Sequence, residues 1–465
     1  MVCHAAGQVK AFPRYLKPSE ISVWAPAGPG RAAGGALRHA LQRHGLWNPL
    51  QIAGRHWQVG CVALEITQRC NLDCELCYLS EHSEAVRDLP LQEIFRRIEM
   101  IGRHYGPGTN VQVTGGDPTL RRRDELIAIV GRLAERGMRP ALFTNGIKAT
   151  RALLGQLAAA GLKDVAFHVD TTQRRKGYRS EASLHALRLK YLERARGLGL
   201  HVLFNTTVTA ENLHEIPALA RFFIAHADVV HLASFQLQAE TGRGVKGRRA
   251  PSVTAHAVSR LIEQGAGVGL GFDFPHVGHP DCNRYTGCLV AGGVAAPLFD
   301  NPAFAAALLA RTEGMTFERH DRRAVLRTCM RIGLRNPGLW PAGLAFGARK
   351  LWHLRRGLLA GRGRINKLSF HVHDFMDADR LDRARCESCV FMVATRDGPM
   401  SMCVHNAKRD AFILQPVTVR SGDETKLWRP LGTGAVTNPA SHPLKHLKGR
   451  TRRQVLDRRR QGRSS

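Results

Sequence analysis

Between Cys61 and about Gln238 the chain alternates, six times over, between a short β-branched or apolar run and a helical stretch. The runs are Val62–Ile66, Val111–Thr114, Ala141–Thr144, Val165–Val169, Val202–Val208 and Val229–Leu237. The stretches between them, such as LQEIFRRIEMIGRHYG and RDELIAIVGRLAERG, repeat apolar residues at helical spacing, and several end on glycine. Alternation of this kind builds a parallel sheet with right-handed helical crossovers. The expected fold is α/β: a partial (β/α)6 TIM-like barrel with a helical insertion and a small cysteine-containing C-terminal region.

The rest of the chain divides around that core. Residues 1–60 read as an N-terminal extension with one helix near Ala36–His44, and 61–240 as the barrel. Residues 241–365 read as a basic, largely helical insertion or cover. Within it Leu351, Leu354 and Leu358 share one helix face, and Arg349, Lys350, His353 and Arg356 another. That helix either covers the barrel with a solvated basic side or lies against lipid headgroups. Strand-like runs return over 366–412, inside a cysteine-containing region at 366–435, and 436–465 reads as a basic, disordered tail.

The chain has eleven cysteines, and no apolar run approaches the ~20 residues of a membrane span. Its start lacks the apolar stretch of a secretory signal, so a cytoplasmic location is expected, with thiols serving as metal ligands or reactive groups. The net charge of +30 is spread along the chain. It suits an acidic substrate or peripheral contact with an anionic membrane, and is weak ground for nucleic-acid binding.

CNLDCELC places Cys70, Cys74 and Cys77 at C-x3-C-x2-C spacing directly after the first strand. Three thiolates can hold three irons of a [4Fe–4S] cluster and leave the fourth open, whereas electron-transfer clusters normally take four thiolates. In a parallel barrel the loop after a strand lies on the face where active sites assemble. A zinc site is the alternative, although zinc loops usually come as paired C-x2-C units. After the second strand comes Thr114-Gly115-Gly116-Asp117-Pro118-Thr119, and Thr144-Asn145-Gly146 closes the third. His168 and Asp170, then Asn205 and Thr206, are polar groups at later strand ends, expected in the mouth of the barrel.

The triplet and the two segments after it resemble the radical S-adenosylmethionine (radical SAM) superfamily. The resemblance implies a [4Fe–4S] cluster on Cys70, Cys74 and Cys77, and a transferase chemistry in which the reduced cluster cleaves SAM to a 5′-deoxyadenosyl radical. It also implies cofactor contacts at Gly115, Gly116, Asp117, Asn145 and Asp170, with Asp117 receiving the methionine ammonium and the glycines allowing close backbone approach to the ligand. Leu76 stands where many members carry an aromatic residue, so adenine would meet only apolar contact there. An electron donor such as flavodoxin or ferredoxin is the implied partner. No side chain is singled out as catalytic.

Further along, FQLQAETGR from Phe235 to Arg243, His279-Pro280-Asp281-Cys282 and Phe375-Met376-Asp377-Ala378 resemble the branch of archaeal pterin methyltransferases and tetraether lipid synthases. The N-terminal cysteine-rich module frequent in that branch is reduced here to Cys3. Cys386, Cys389 and Cys403, with Cys282 as a distant fourth ligand, are candidates for an auxiliary iron–sulfur cluster, and a structural zinc site using His405 is the alternative. The branch implies methyl transfer or carbon–carbon bond formation, and the basic, apolar insertion favours a hydrophobic or lipid-like substrate. The rival readings are radical modification of RNA or peptide, and a non-catalytic zinc-stabilised protein that binds nucleic acid.

Overall fold

The computed structural model of the protein describes residues 33–57, 59–80, 82–242, 253–315, 321–378, 380–421 and 424–432. Cys3, Arg243 and the tail expected to be disordered lie outside these residues. The helix expected near Ala36–His44 is α1, Ala33–Arg43. All six expected strands are present: β1 (Cys61–Thr67), β2 (Asn110–Gly115), β3 (Arg139–Thr144), β4 (Asp164–His168), β5 (His201–Val208) and β6 (Val230–Leu237). They pair in parallel and in sequence order. Each of the first five is followed by a helix. The first of these, α2 (Leu91–Tyr105), buries Ile94, Ile98 and Ile101 along one side and stops where Gly106 takes a positive φ of 76°.

Alternation along each strand separates two environments. Val62, Leu64 and Ile66 of β1, and Val111 and Val113 of β2, are fully buried in the layer between sheet and helices. Each contributes about 1.5–3 kcal/mol of burial. The alternate residues Ala63, Glu65, Gln112 and Thr114 face the barrel interior.

The parallel sheet is wider than six strands. Two late strands join it, β9 (Asn366–His373) alongside β6 and β10 (Phe391–Ala394) alongside β1. Eight parallel strands result, in the order β10-β1-β2-β3-β4-β5-β6-β9. Strands β9 and β10 are not paired with each other. The gap between them is filled by rings: His371 and His373 lie 5.6 and 4.6 Å from Phe391, centroid to centroid. The barrel is therefore open in its backbone and bridged by side chains. Arg97 of α2 braces this edge through Glu93 and the Ala394 carbonyl, which accepts at 3.0 Å.

The insertion is not purely helical. It contains α7 (Ala255–Ala266) and a hairpin, β7 (Asn283–Ala291) and β8 (Val294–Pro297), that extends the sheet beyond β9 with antiparallel pairing. Three helices follow, α8 (Pro302–Arg311), α9 (Arg322–Arg335) and α10 (Trp340–Ala360). Helix α10 seats on the hairpin through Leu354 and Gly357, a Cβ on Gly357 lying 2.0 Å from the Ala291 carbonyl oxygen. The expected division of its faces needs correcting. Lys350 is buried and ion-paired with Asp300, whereas Leu351 is exposed, because the seated face runs through 350, 354 and 357.

Candidate functional site

Side chains from all eight parallel strands point into one cavity of ≈ 270 Å³, and the loop leaving β1 arrives at the same place. Cys70, Cys74 and Cys77 are half-buried on that loop and all line the cavity, as does Leu76. The loop is tied down along its length. The Thr67 carbonyl accepts from the Gly116 amide and the Arg69 carbonyl from the Asp117 amide, both at 2.8 Å. The Cys70 amide donates to Glu84 at 3.2 Å, and the Glu75 amide to the Thr172 carbonyl at 2.9 Å. Three thiols on one anchored loop, turned to one space, match the donor set of a cluster with one open iron. Each would bind a different iron, so they need not converge on a point. Among the described residues no three His, Cys, Asp or Glu side chains gather tightly enough for a single metal ion.

The glycines of the second segment have a structural reason the sequence did not reveal. A Cβ on Gly115, whose φ is +126°, would sit 1.9 Å from the Thr67 carbonyl oxygen, and one on Gly116 would sit 2.0 Å from that of Arg69. Their lack of side chains lets the β2 loop close against the cysteine loop, while both also border the cavity.

Asp117 lies beside the cavity and not on its wall. It is 1% exposed, and its carboxylate accepts from the Thr119 amide and hydroxyl, the Thr144 hydroxyl and the Asn145 amide. With four protein donors it is a strut between the second and third segments, and it does not line the cavity. Asn145 does line it. Its Nδ2 donates to Asn71 Oδ1 at 2.7 Å and lies 3.9 Å from Cys70 Sγ, where an N–H stabilises negative charge on sulfur.

At β4 the expected pair divides its work. Asp170 is buried and takes donors from Thr172, the Thr207 amide and His168 Nε2, the last at 2.6 Å. It holds His168 rather than facing the cavity, and His168 is the residue at the wall. Burial would lower the His168 pKa, but the Asp170 charge outweighs it and raises the value, while Asp170 is held well below the usual carboxylate range. On β5 Asn205 faces the cavity, but Thr206 faces away and Thr207 takes the place expected of it, as strand alternation requires.

Two groups of residues at the wall went unrecognised in the sequence. Glu65, within the strand read as apolar, accepts two hydrogen bonds of 2.7 Å from Arg409. Burial would raise the Glu65 pKa, but Arg409 overrides this and holds it at about 2. Arg409 also donates to the Tyr78 carbonyl and stacks over the Tyr78 ring, and Tyr78 Oη donates to the Gly115 carbonyl at 2.6 Å. The C-terminal segment is thereby locked to the cysteine loop. The second group is His371 and His373, which share Asn283 Oδ1 as acceptor at 3.1 and 2.5 Å. Burial lowers the His371 pKa to about 4 and holds that of His373 well below the ordinary histidine value, so both imidazoles are neutral.

Cys282, Cys386, Cys389 and Cys403 lie within electrostatic reach of one another. Burial first, and then mutual repulsion of thiolates, pushes Cys386 up to about 12, and Arg385 donates to Cys282 Sγ at 3.2 Å. Cys403 borders the cavity, so this group opens on the same space as the first. His405 does not join it. Its ring stacks on Phe412, beside Glu65 and Arg409. Cys288 is buried on β7, and Cys329 is exposed on α9.

Residues 64–223 match the family described as the Radical SAM superfamily. The chain is 28% identical over 186 residues to 7,8-dihydro-6-hydroxymethylpterin dimethyltransferase of Methanocaldococcus jannaschii, covering 39% of this chain and 36% of that protein. It is 28% identical over 216 residues to PqqA peptide cyclase of Bradyrhizobium diazoefficiens, covering 44% and 53% respectively. A crystal structure of Streptococcus suis SuiB bound to S-adenosylmethionine overlaps with a TM-score of 0.35 at 17% identity, covering 48% of this chain and 49% of that one. The chain thus spans about a third to a half of these curated relatives. With the family's sequence pattern running from β1 to α6 (Ile216–Ala225), and the cysteine loop, glycine segment and strand ends gathered at one cavity, residues 64–223 form a domain of the radical SAM superfamily, whose enzymes use a [4Fe–4S] cluster and S-adenosylmethionine.

Proposed function

We propose that the protein carries out radical methyl transfer or carbon–carbon bond formation on a hydrophobic or lipid-like substrate. The observation that carries this reading is the cavity itself. Cys70, Cys74 and Cys77 face a space walled largely by Phe143, Leu203, Leu232, Leu237, Phe375 and Val393, with neutral His371 and His373 on one side and His168 at the end of β4. When bound, the cluster and SAM supply the radical that takes a hydrogen atom from substrate. The chain's own residues do the rest. Apolar walls exclude water, Asn145 and the Gly115–Gly116 backbone position the cofactor, and His168, whose pKa the Asp170 charge raises, stands at the wall as a polar group.

We assign Cys282, Cys386, Cys389 and Cys403 to an auxiliary cluster bordering the same cavity, and a flavodoxin or ferredoxin as the reductant. Peripheral contact with an anionic membrane fits the substrate class. Among the described residues no helix is long and apolar enough to cross a membrane. Similarity to PqqA peptide cyclase favours a second reading, with a peptide as substrate.

The test is anaerobic reconstitution, metal analysis and a search for 5′-deoxyadenosine after dithionite reduction. About eight irons per chain, as expected for two [4Fe–4S] clusters, falling to about four in a Cys386→Ala/Cys389→Ala variant, supports both sites. Cys74→Ala should fold and make no 5′-deoxyadenosine. SAM cleavage by that variant would refute the cluster assignment, and turnover of a peptide in place of a lipid would establish the second reading.

A further inference from the structure

The side of the insertion turned away from the barrel has a composition that soluble surfaces avoid. Among the described residues twelve large apolar side chains are exposed, and eight of them lie between Leu326 and Leu359. On α9, Leu326, Met330 and Leu334 recur every four residues and form one stripe, with Leu334 75% exposed. From Arg323 to Arg335 its only buried residue is Ile332, so this stretch lies on the molecule without being embedded in it. On α10, Leu344, Leu351, Trp352 and Leu359 project opposite the face seated on the β7–β8 hairpin, with Trp352 70% and Leu359 85% exposed. Trp340 ties the two helices together by donating from Nε1 to the Gly333 carbonyl at 2.8 Å.

Charge runs beside the apolar stripes. From Arg322 to Ala360 the sequence has nine Lys and Arg and no Asp or Glu. Arg323, Arg327, Arg331 and Arg335 recur every four residues on α9 and flank its apolar stripe, and all are exposed. Of these, Arg323, Arg331 and Arg335, together with Arg356 on α10, pair with no acidic group among the described residues. Arg355 lies over the exposed Trp352 ring at 4.1 Å. An apolar stripe bordered by unpaired arginines, with Trp at its edge, is the pattern of a helix that lies in the headgroup layer of a bilayer. A second copy of the chain is disfavoured as the occupant, since both faces would bring exposed arginines together with no acid to meet them.

We infer that α9 and α10 form a docking face for an anionic lipid bilayer. The inference deepens the lipid-substrate reading and depends on it only for its purpose, since the face stands on its own residues. It places the enzyme at the surface that holds such a substrate. The β7–β8 hairpin beneath α10 pairs with β9, which carries His371 and His373 into the cavity wall, so the face and the cavity share one rigid sheet.

The test is flotation of the full chain with vesicles of phosphatidylcholine alone and of phosphatidylcholine with phosphatidylglycerol. The protein should float with the anionic vesicles and stay at the bottom with the neutral ones. Leu326→Glu/Leu334→Glu/Trp352→Glu and Arg323→Gln/Arg331→Gln/Arg335→Gln should each cut the floating fraction at least tenfold. Both should keep wild-type circular dichroism and 5′-deoxyadenosine formation, which separates failure of the face from failure of the site. No flotation of the wild type overturns the inference. So does equal flotation of the apolar variant, which would assign binding to basic segments elsewhere, or loss of a wild-type dimer in the variants, which would make the face a self-interface.

Discussion

Replacing Arg409 by Met removes the cation that holds Glu65 ionised inside the barrel wall. The pair is enclosed, with side-chain exposures of 1% for Arg409 and 7% for Glu65. The Glu65 pKa of about 2, against an ordinary 4.5, corresponds to about 3 kcal/mol at about 1.4 kcal/mol per tenfold change in proton affinity. Stranding one member of a buried pair costs about 3–5 kcal/mol, so a loss in that range is expected for Arg409→Met. Urea unfolding of both proteins under nitrogen, followed by circular dichroism, measures it. The pH dependence has a definite sign. In the wild type the Glu65 carboxyl is depressed, so its contribution is present above pH 4.5 and is lost as pH falls toward about 2. In the variant burial, the largest influence, loses its main opponent and only Gln68 and His405 still act against it, so the carboxyl rises and protonation relieves the strain as pH falls. The stability gap between the proteins should therefore narrow from pH 7 to pH 4, and adding Glu65→Gln should restore part of the loss at pH 7. A loss under about 1 kcal/mol, or a gap that does not narrow, would refute the reasoning.

Gly116→Ala puts a methyl group 2.0 Å from the Arg69 carbonyl oxygen and should cost about 1–3 kcal/mol. Gly131→Ala on α3 (Arg123–Glu135) meets open space and should stabilise by about 0.5–1 kcal/mol; equal melting shifts for the two would contradict the close-approach argument. His168 has a raised pKa, so its contribution to stability is present below pH 6.5 and is lost as pH rises through its folded value. Asp170→Asn should bring the imidazole below 6.5, as burial then dominates, and NMR titration with labelled histidine would expose the error if it still titrates higher.

The six core strands were legible because each interleaves β-branched residues with a helical period, a signal that needs no knowledge of the rest of the chain. Strands β9 and β10 carry a similar signal, and 366–412 reads as strand-like. Their place in the barrel depends on pairing across the intervening insertion, which local periodicity does not encode. The cysteine loop was legible from spacing alone. The orientation of Asp117 was not, because a carboxylate at a strand end can turn to the mouth or to the neighbouring loop, and here Thr119, Thr144 and the Asn145 amide win it. Glu65 could have been found: an acid inside a strand buried throughout requires a cation, although nothing local names Arg409 as its partner.

Glu65 and Arg409 stand 344 residues apart. During synthesis the ribosome releases the cysteine loop long before the clasp that fastens it exists, by tens of seconds at about 5–20 residues per second. For that interval the three thiols belong to an unfinished wall. The order of translation thus makes the fastening of the cysteine loop one of the last events in the folding of this chain.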